Sequence, residues 1–466
     1  MKLTIALLWS ILCICALRET SSAEPTTKPN IVFIFADDWG WGDLSCHGST
    51  WLKTPNLDRL ASEGTDFQQF NVLNPVCSPS RVAAMTGRYP SRFGVNNVFG
   101  GSSPEMPDWL DGKAPTTARY LKAAGYRTAH FGKWHMGDMP DSPPMSAYGF
   151  DESAVYHGPG PKIKPHDIAD RAAAFIEANK NHPFFLDVWI HESHTAHDPT
   201  PASLAKWQNL DDEQKRIYAA VITDGDNNVG KVLDALEKAG VAQNTLVVFS
   251  SDNGPESTGG EADKGTAGKL GSYYSIGETG GLRGRKRSIF EGGVRVPFIA
   301  RWPDRGKAGN RSAQTICLTD LMATCADILG AKLPENAGED SVSILPALLG
   351  TDKSPLHEAV VHHSINGSFA IRQGKWNLEL CGDSGGWSDP KPGTPEAKGL
   401  PNTQLYDLQE EIAETKNVRA QHPEEVARLT KLLEQIIANG RSTPGAKQAN
   451  DAEIQIRKKA KNSAIE

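Results

Sequence analysis

The run Asn30-Ile31-Val32-Phe33-Ile34-Phe35-Ala36-Asp37-Asp38 decides the fold of this chain. Ile31 to Phe35 is apolar without interruption, and a short run with no polar alternation reads as a strand buried on both faces. Such a strand belongs in a parallel sheet held between helical layers. Further apolar runs at Thr128 to Phe131, Phe184 to Ile190, Thr245 to Ser250 and Val296 to Ala300 supply its companions. Between them lie helical patterns at Asn56 to Glu63, after Cys77, and at Thr116 to Ala124, Ile168 to Lys180, Asp211 to Ala239 and Thr319 to Leu329. Strands alternating with helices predict an α/β fold, a large mostly parallel sheet sandwiched by helices.

From about Ala337 the pattern changes. Short strand candidates at Val360 to His363, Phe369 to Ile371, Trp376 to Leu380 and Gln404 to Leu408 precede a helical stretch from Pro423 to Ile437. This predicts a smaller C-terminal antiparallel sheet plus helix. The organisation expected is a signal peptide over 1–23, a main domain over 24–336, a C-terminal subdomain over 337–440 and a polar, disordered tail over 441–466. The segment from Gly254 to Gly284 reads as a long glycine-rich loop, and loops of that length are more often functional than idle.

Lys2, the apolar stretch Leu3 to Leu17 and the small residues Ser21-Ser22-Ala23 form an export signal cleaved near Ala23. The stretch is short for a membrane span, and no later segment is apolar enough for one, so no stable membrane insertion is expected. The mature protein is expected to be soluble and secreted or periplasmic. Cys13 and Cys15 lack the preceding small residue that a lipidated cysteine would have. The chain has 466 residues and a formal net charge of -7, with its basic residues widely spread. That argues against a nucleic-acid partner, although it leaves room for a local basic pocket. Outside the signal and Cys77, the cysteines Cys46, Cys317, Cys325 and Cys381 make no disulfide framework.

Chemistry collects where the strands end. Asp37-Asp38 follow the first strand, and Asp252-Asn253-Gly254 follow the strand at Thr245. Ligands of open α/β sheets bind beyond the carboxyl ends of strands, so both pairs should face one crevice. Three carboxylates and an amide oxygen make a hard donor set suited to Ca2+ more than Mg2+. Either pair alone would read as a helix cap or a solvated loop. Cys77-Ser78-Pro79-Ser80-Arg81, running on to Thr86-Gly87-Arg88, places a cysteine at a helix start, where free N–H groups and the dipole favour an anion. Phe131-Gly132-Lys133-Trp134-His135 offers a cation for an anionic oxygen and an imidazole for proton transfer. His191, His194 and His197 share one loop after the Phe184 strand, at least one of them expected to be solvated. Lys286 precedes Phe290-Glu291-Gly292-Gly293-Val294-Arg295-Val296-Pro297.

Together these motifs resemble the type I, formylglycine-dependent sulfatases of the arylsulfatase A-like group, in the alkaline phosphatase superfamily. The resemblance runs from about Asn30 to about Ile437 and makes residues 24–336 the catalytic domain. It implies a sulfuric ester hydrolase whose Cys77 is oxidised to formylglycine by a formylglycine-generating or anaerobic sulfatase-maturating enzyme. It implies one Ca2+ per chain on Asp37, Asp38, Asp252 and Asn253, with residue 77 also touching the ion. Arg81 would steady the aldehyde hydrate, and Lys133, His135 and Lys286 would surround the sulfate. For the leaving-group histidine, spacing from Pro183 points to His194. Ala196 stands where the family has proline, and His197 is kept beside it because Pro199 follows at the family's interval.

The substrate expected is a sulfate ester, with a sulfated carbohydrate preferred over a small aryl ester. Tyr156, His157, Lys162, Lys164, His166, Tyr273, Tyr274 and Trp387 are candidates for its pocket. Two other readings remain open: a formylglycine-dependent phosphonate or phosphate diester hydrolase, and a non-catalytic sulfoglycan-binding protein. Asn310 and Asn366 head glycosylation sequons, relevant to a eukaryotic source.

Overall fold

The computed structural model describes residues 28–100, 106–256, 275–351 and 354–457. The expected signal peptide, Tyr273 and Tyr274 lie outside them. The large sheet has eight strands: β1 (Asn30–Ala36), β2 (Thr65–Asn71), β3 (Arg127–Lys133), β4 (Glu152–Tyr156), β5 (Phe184–Trp189), β6 (Thr245–Ser251), β7 (Phe298–Arg301) and β8 (Asn310–Cys317). Their order is β4-β3-β5-β1-β6-β7-β2-β8. Only β7 runs antiparallel to its neighbours β6 and β2. The sheet is therefore mostly parallel, as expected.

The residues of β1 alternate between two cores, which is why its run is apolar throughout. Ile31, Phe33 and Phe35 join one apolar cluster and Val32, Ile34 and Ala36 the other. The second cluster is closed by α1 (Pro55–Glu63), α4 (Ile168–Asn179) and α6 (Glu213–Lys238). On the first face lie α2 (Cys77–Thr86), α3 (Thr117–Ala123) and α8 (Leu321–Ile328). Shorter helices α5 (Pro201–Lys206), α7 (Glu291–Val294) and α9 (Leu345–Leu349) complete the main body.

The C-terminal strands β9 (Val360–His363), β10 (Phe369–Gln373), β11 (Trp376–Glu379) and β12 (Gln404–Asp407) form an antiparallel sheet in the order β12-β11-β10-β9. Helix α10 (Pro423–Asn439) packs on it through Leu429, Leu433 and Ile436. The first apolar cluster is continuous from the large sheet into this one. The link also has polar members: His363 N–H donates to Leu73 O at 3.0 Å, close before Cys77, and Arg372 donates to Asn71 Oδ1 at 3.0 Å.

The disordered tail expected from residue 441 is corrected by the packing of residues 441–457. Gln448 N–H donates to Asn439 O at 2.9 Å and Asp451 N–H to Arg92 O at 2.8 Å. Arg88 pairs with Asp451 at 2.7 Å, and Arg92 donates to Asn450 at 2.8 Å. Polar composition suggested solvent, but these polar groups meet two mostly buried arginines instead. Cys46, Cys77, Cys317, Cys325 and Cys381 are all free thiols. Among the described residues, no helix is long and apolar enough to cross a membrane.

Candidate active site

Strand register brings distant segments into one row. Ala36 of β1 lies opposite Ser251 of β6, so Asp37 and Asp252 emerge side by side. Ile34 pairs with Val188 of β5, and three steps on, Asp37 stands level with His191. Gly132 of β3 pairs with Trp189, which delivers Lys133 to the same edge. Asp37, Asp38, Asp252 and Asn253 are all fully buried. Gly254 lets its loop close on the Gly292-Gly293 segment, because a Cβ there would lie 2.0 Å from Gly292 O.

Cys77 opens α2, preceded by Val76 in extended conformation, and every residue of that helix is buried. Its Sγ lies 3.5 Å from Asp37 Oδ1 and 3.5 Å from Lys133 Nζ. Lys133 Nζ is 2.7 Å from Asp37 Oδ2. Arg81, one turn along α2, donates to Asp252 Oδ2 at 2.6 Å and to Lys133 O at 2.9 Å. Its guanidinium also sits over the rings of Phe35 and Trp189. Lys286 Nζ reaches Asp38 at 2.6 Å. The three carboxylates thus face three cationic side chains, all six of them buried.

Asp38, His135, His157 and Arg287 are non-glycine residues with positive φ, at 65°, 55°, 50° and 77°. Left-handed backbone of this kind clusters where function fixes geometry, and all four lie around this cluster.

The histidine loop is sorted by the structure. His194 Nε2 lies 3.9 Å from Asp38 Oδ2, and its ring stacks on His191 at 4.7 Å. His197 is set apart: it is 1% exposed, bonds Ser193 O at 3.0 Å and packs near Tyr218. His194 is the partly exposed member of this trio, its side chain 24% accessible, while His191 and His197 are buried. His135 is half-buried, with its Nδ1 enclosed and unpartnered and its backbone N–H donating to His157 O at 2.8 Å.

Two residues without an expected role also belong here. His191 Nδ1 contacts Asp37 Oδ2, and Glu256 Oε2 lies 3.9 Å from Lys286 Nζ while pairing with Arg287. The periodicity of the strands could have found His191, since the β1–β5 register fixes it; nothing in the local sequence marks Glu256. Of the pocket candidates, Tyr156 and His157 border the site, with Tyr156 4.5 Å from the His191 ring. Lys162 turns back to Gly158 O, His166 faces Asp198, and Lys164 is exposed.

Burial would raise the Asp37 carboxyl, but Lys133, His194 and His191 hold it well below the usual carboxylate range. Asp252 is pushed up to about 7 by burial and by neighbouring Asp37. Burial, then Lys133, keeps both His135 and His194 well below the ordinary imidazole value. The Cys77 thiol is raised by burial and by Asp252. A buried thiol so disfavoured as thiolate is a poor nucleophile as it stands.

The donor set fits a hard divalent cation. Ligand atoms of Asp37, Asp38, Cys77 and His194 lie within 4.8 Å of one another. Asn253 Oδ1 is buried without a partner while its Nδ2 donates to Asp38 at 2.7 Å. An orphaned buried carbonyl oxygen beside carboxylates is a donor that a hard divalent cation would satisfy.

The chain matches the Sulfatase family over residues 29–331. It is 30% identical over 504 residues to an N-acetylgalactosamine-6-O-sulfatase of Bacteroides thetaiotaomicron, covering 90% of this chain and 95% of that protein. Arylsulfatase A of Homo sapiens is 32% identical over 445 residues, covering 84% and 83%. The crystal structure of Ps i-CgsB in complex with k-i-k-neocarrahexaose superposes with a TM-score of 0.74 at 27% identity, covering 91% of this chain and 95% of that one. The shared architecture is that of the alkaline phosphatase fold.

Proposed function

The chain belongs to the sulfatase family and is a sulfuric ester hydrolase, and from that premise we propose that it is an exported enzyme removing sulfate from a carbohydrate. The first substrate to test is N-acetylgalactosamine 6-sulfate, the ester named for the relative aligned over 90% of this chain. The observation that carries the reading is the position of Cys77: a motif cysteine at a helix start, 3.5 Å from both Asp37 and Lys133.

In the proposed enzyme, residue 77 is formylglycine, and the thiol sulfur stands where the oxygens of the aldehyde hydrate would lie. That hydrate supplies two hydroxyls on one carbon, one to attack sulfur and one whose deprotonation later frees the sulfate. Asp37, Asp38, Asp252 and Asn253 would hold a Ca2+, which would supply fixed positive charge to offset the negative charge of the sulfate.

Lys133 and Lys286 add charge from two sides of the same space, preorganised by their buried carboxylates. Arg81 fixes the orientation of Asp252, which can take the proton of the attacking hydroxyl. Lys286, or His194 once the bound sulfate has raised its imidazole enough to be protonated, delivers a proton to the departing alcohol oxygen. His135, neutral at rest, accepts the proton of the second hydroxyl.

Release of inorganic sulfate tests this directly. The protein co-produced with a maturating enzyme is compared on N-acetylgalactosamine 6-sulfate, 4-nitrophenyl sulfate and 4-nitrophenyl phosphate at equal concentration. Sulfate release exceeding phosphate release supports the reading. Preference for the phosphate ester would favour the phosphohydrolase alternative, and loss of neither group would favour a binding protein.

A further inference from the structure

Trp387 is the most exposed large apolar side chain among the described residues, 61% accessible. It is nevertheless held in place. One ring face is covered by the Arg287 guanidinium, whose carbon is 3.8 Å from the ring centroid. Arg287 is anchored in turn: it pairs with Glu256, its backbone N–H donates to Pro75 O at 2.8 Å, and its φ is 77°. The Glu256 carboxylate that holds Arg287 also faces Lys286 at 3.9 Å. Lys286 reaches Asp38 of the reaction centre. Trp387 therefore stands two side chains from the cluster, on the same side as Lys286.

The loop that carries the indole is built for this placement. Gly386 packs so closely on the Arg287 segment that a Cβ would lie 2.1 Å from Arg287 O. Ile289 N–H donates to Ser384 O at 2.8 Å, and Ser384 N–H to Pro390 O at 2.9 Å. A rigid loop of the C-terminal subdomain is thus clamped on the strained backbone next to the sulfate lysine. A surface tryptophan with no such role would be free to fold its ring down. Here one face is held by a cation and the ring is otherwise open to solvent.

We propose that Trp387, backed by Arg287, is a carbohydrate-ring platform: the open indole face stacks on a pyranose of the sulfated substrate, outside the sulfate subsite. The C–H-rich face of a pyranose matches the open π face of the indole, while the guanidinium on the other face holds the ring in place. A planar aryl ester short enough to be swallowed by the sulfate subsite gains less from the platform. The inference rests on the sulfate-ester reading above and assigns the recognition of the sugar to the C-terminal subdomain.

The test is the ratio of kcat/KM on a 6-sulfated chondroitin tetrasaccharide to kcat/KM on 4-nitrophenyl sulfate, measured for wild type, W387A and W387F. Thermal unfolding serves as the check that each variant is folded. W387A should lower the ratio about fivefold or more, chiefly through KM on the tetrasaccharide, and W387F should recover most of it. A ratio that W387A leaves unchanged overturns the platform, as does a wild type that cleaves the aryl ester but no sulfated saccharide. If wild type cleaves neither ester, it is the reaction reading that fails. Titration of the Cys77→Ala protein with the tetrasaccharide, followed by tryptophan fluorescence, then still decides. A saturable change lost in W387A supports the platform, and no change overturns it.

Discussion

Arg81 and Asp252 are joined by a 2.6 Å ion pair, and both side chains are fully buried. The pair ties α2, which begins at Cys77, to the end of β6, which supplies the proposed calcium ligands. Removing one partner of a buried pair leaves an unpaired charge, at a cost of about 3–5 kcal/mol. Arg81→Ala should therefore lose both stability in urea and turnover. Combining it with Asp252→Asn should cost less stability than the two single losses added together. Simple additivity would indicate that the two groups do not act as a unit.

Calcium should stabilise the protein as well as support turnover. At free calcium a hundredfold above Kd, the gain for one site is about 2.7 kcal/mol. Chelation should lower Tm and abolish sulfate release, and calcium should restore both. Asn253→Ala should weaken the response to calcium. Full activity after chelation, with no metal detected by elemental analysis, would remove the ion from the account.

The two candidate histidines separate by leaving group. If His194 protonates the departing oxygen, His194→Ala should lose about a hundredfold or more in kcat on a sugar sulfate. It should lose much less on 4-nitrophenyl sulfate, whose phenolate leaves without help. Buried His197, bonded to Ser193 O, should act on stability instead, by about 0.5–3 kcal/mol on replacement by Ala. The reverse pattern would reassign the role to His197.

A second buried pair offers a pH test away from the reaction centre. His357 Nε2 is 2.9 Å from Asp320, with both side chains almost fully buried. Burial would lower the imidazole, but Asp320 raises it well above 6.5. A raised folded value means the stabilisation is complete below pH 6.5, the unfolded value, and fades as pH climbs through the folded one. Stability in urea should thus fall on the alkaline side of pH 6.5, and His357→Gln should flatten that slope. An unaltered slope in the variant would assign the pH dependence to other groups.

How much was legible in sequence depends on where each signal resides. The buried strands β1, β5 and β6 announce themselves because both faces meet apolar cores. β8 did not: it is an edge strand whose run Asn310 to Cys317 is polar, with several exposed positions. β2 was hidden by Gln68 and Gln69 in its middle. The aspartates and Cys77 could be placed at strand and helix ends because those ends are local features. His191 was within reach once β1 and β5 were aligned, but Glu256 was not, since its position follows from loop closure over long separations. The stretch 441–457 reads as solvated because composition reports polarity and not the buried Arg92 that meets it.

The central claim is that the thiol of residue 77 is replaced by a carbonyl within this cluster of buried carboxylates and cations. The most direct measurement is the mass of the peptide containing residue 77, taken from protein that releases sulfate and treated in parallel with a hydrazide. The account predicts a peptide about 18 Da lighter than the cysteine form, on the chemistry of an oxidised cysteine, and capture by the hydrazide, with Cys77→Ala giving neither capture nor turnover. An intact thiol in protein that hydrolyses sulfate esters, or full turnover by Cys77→Ala, would contradict it.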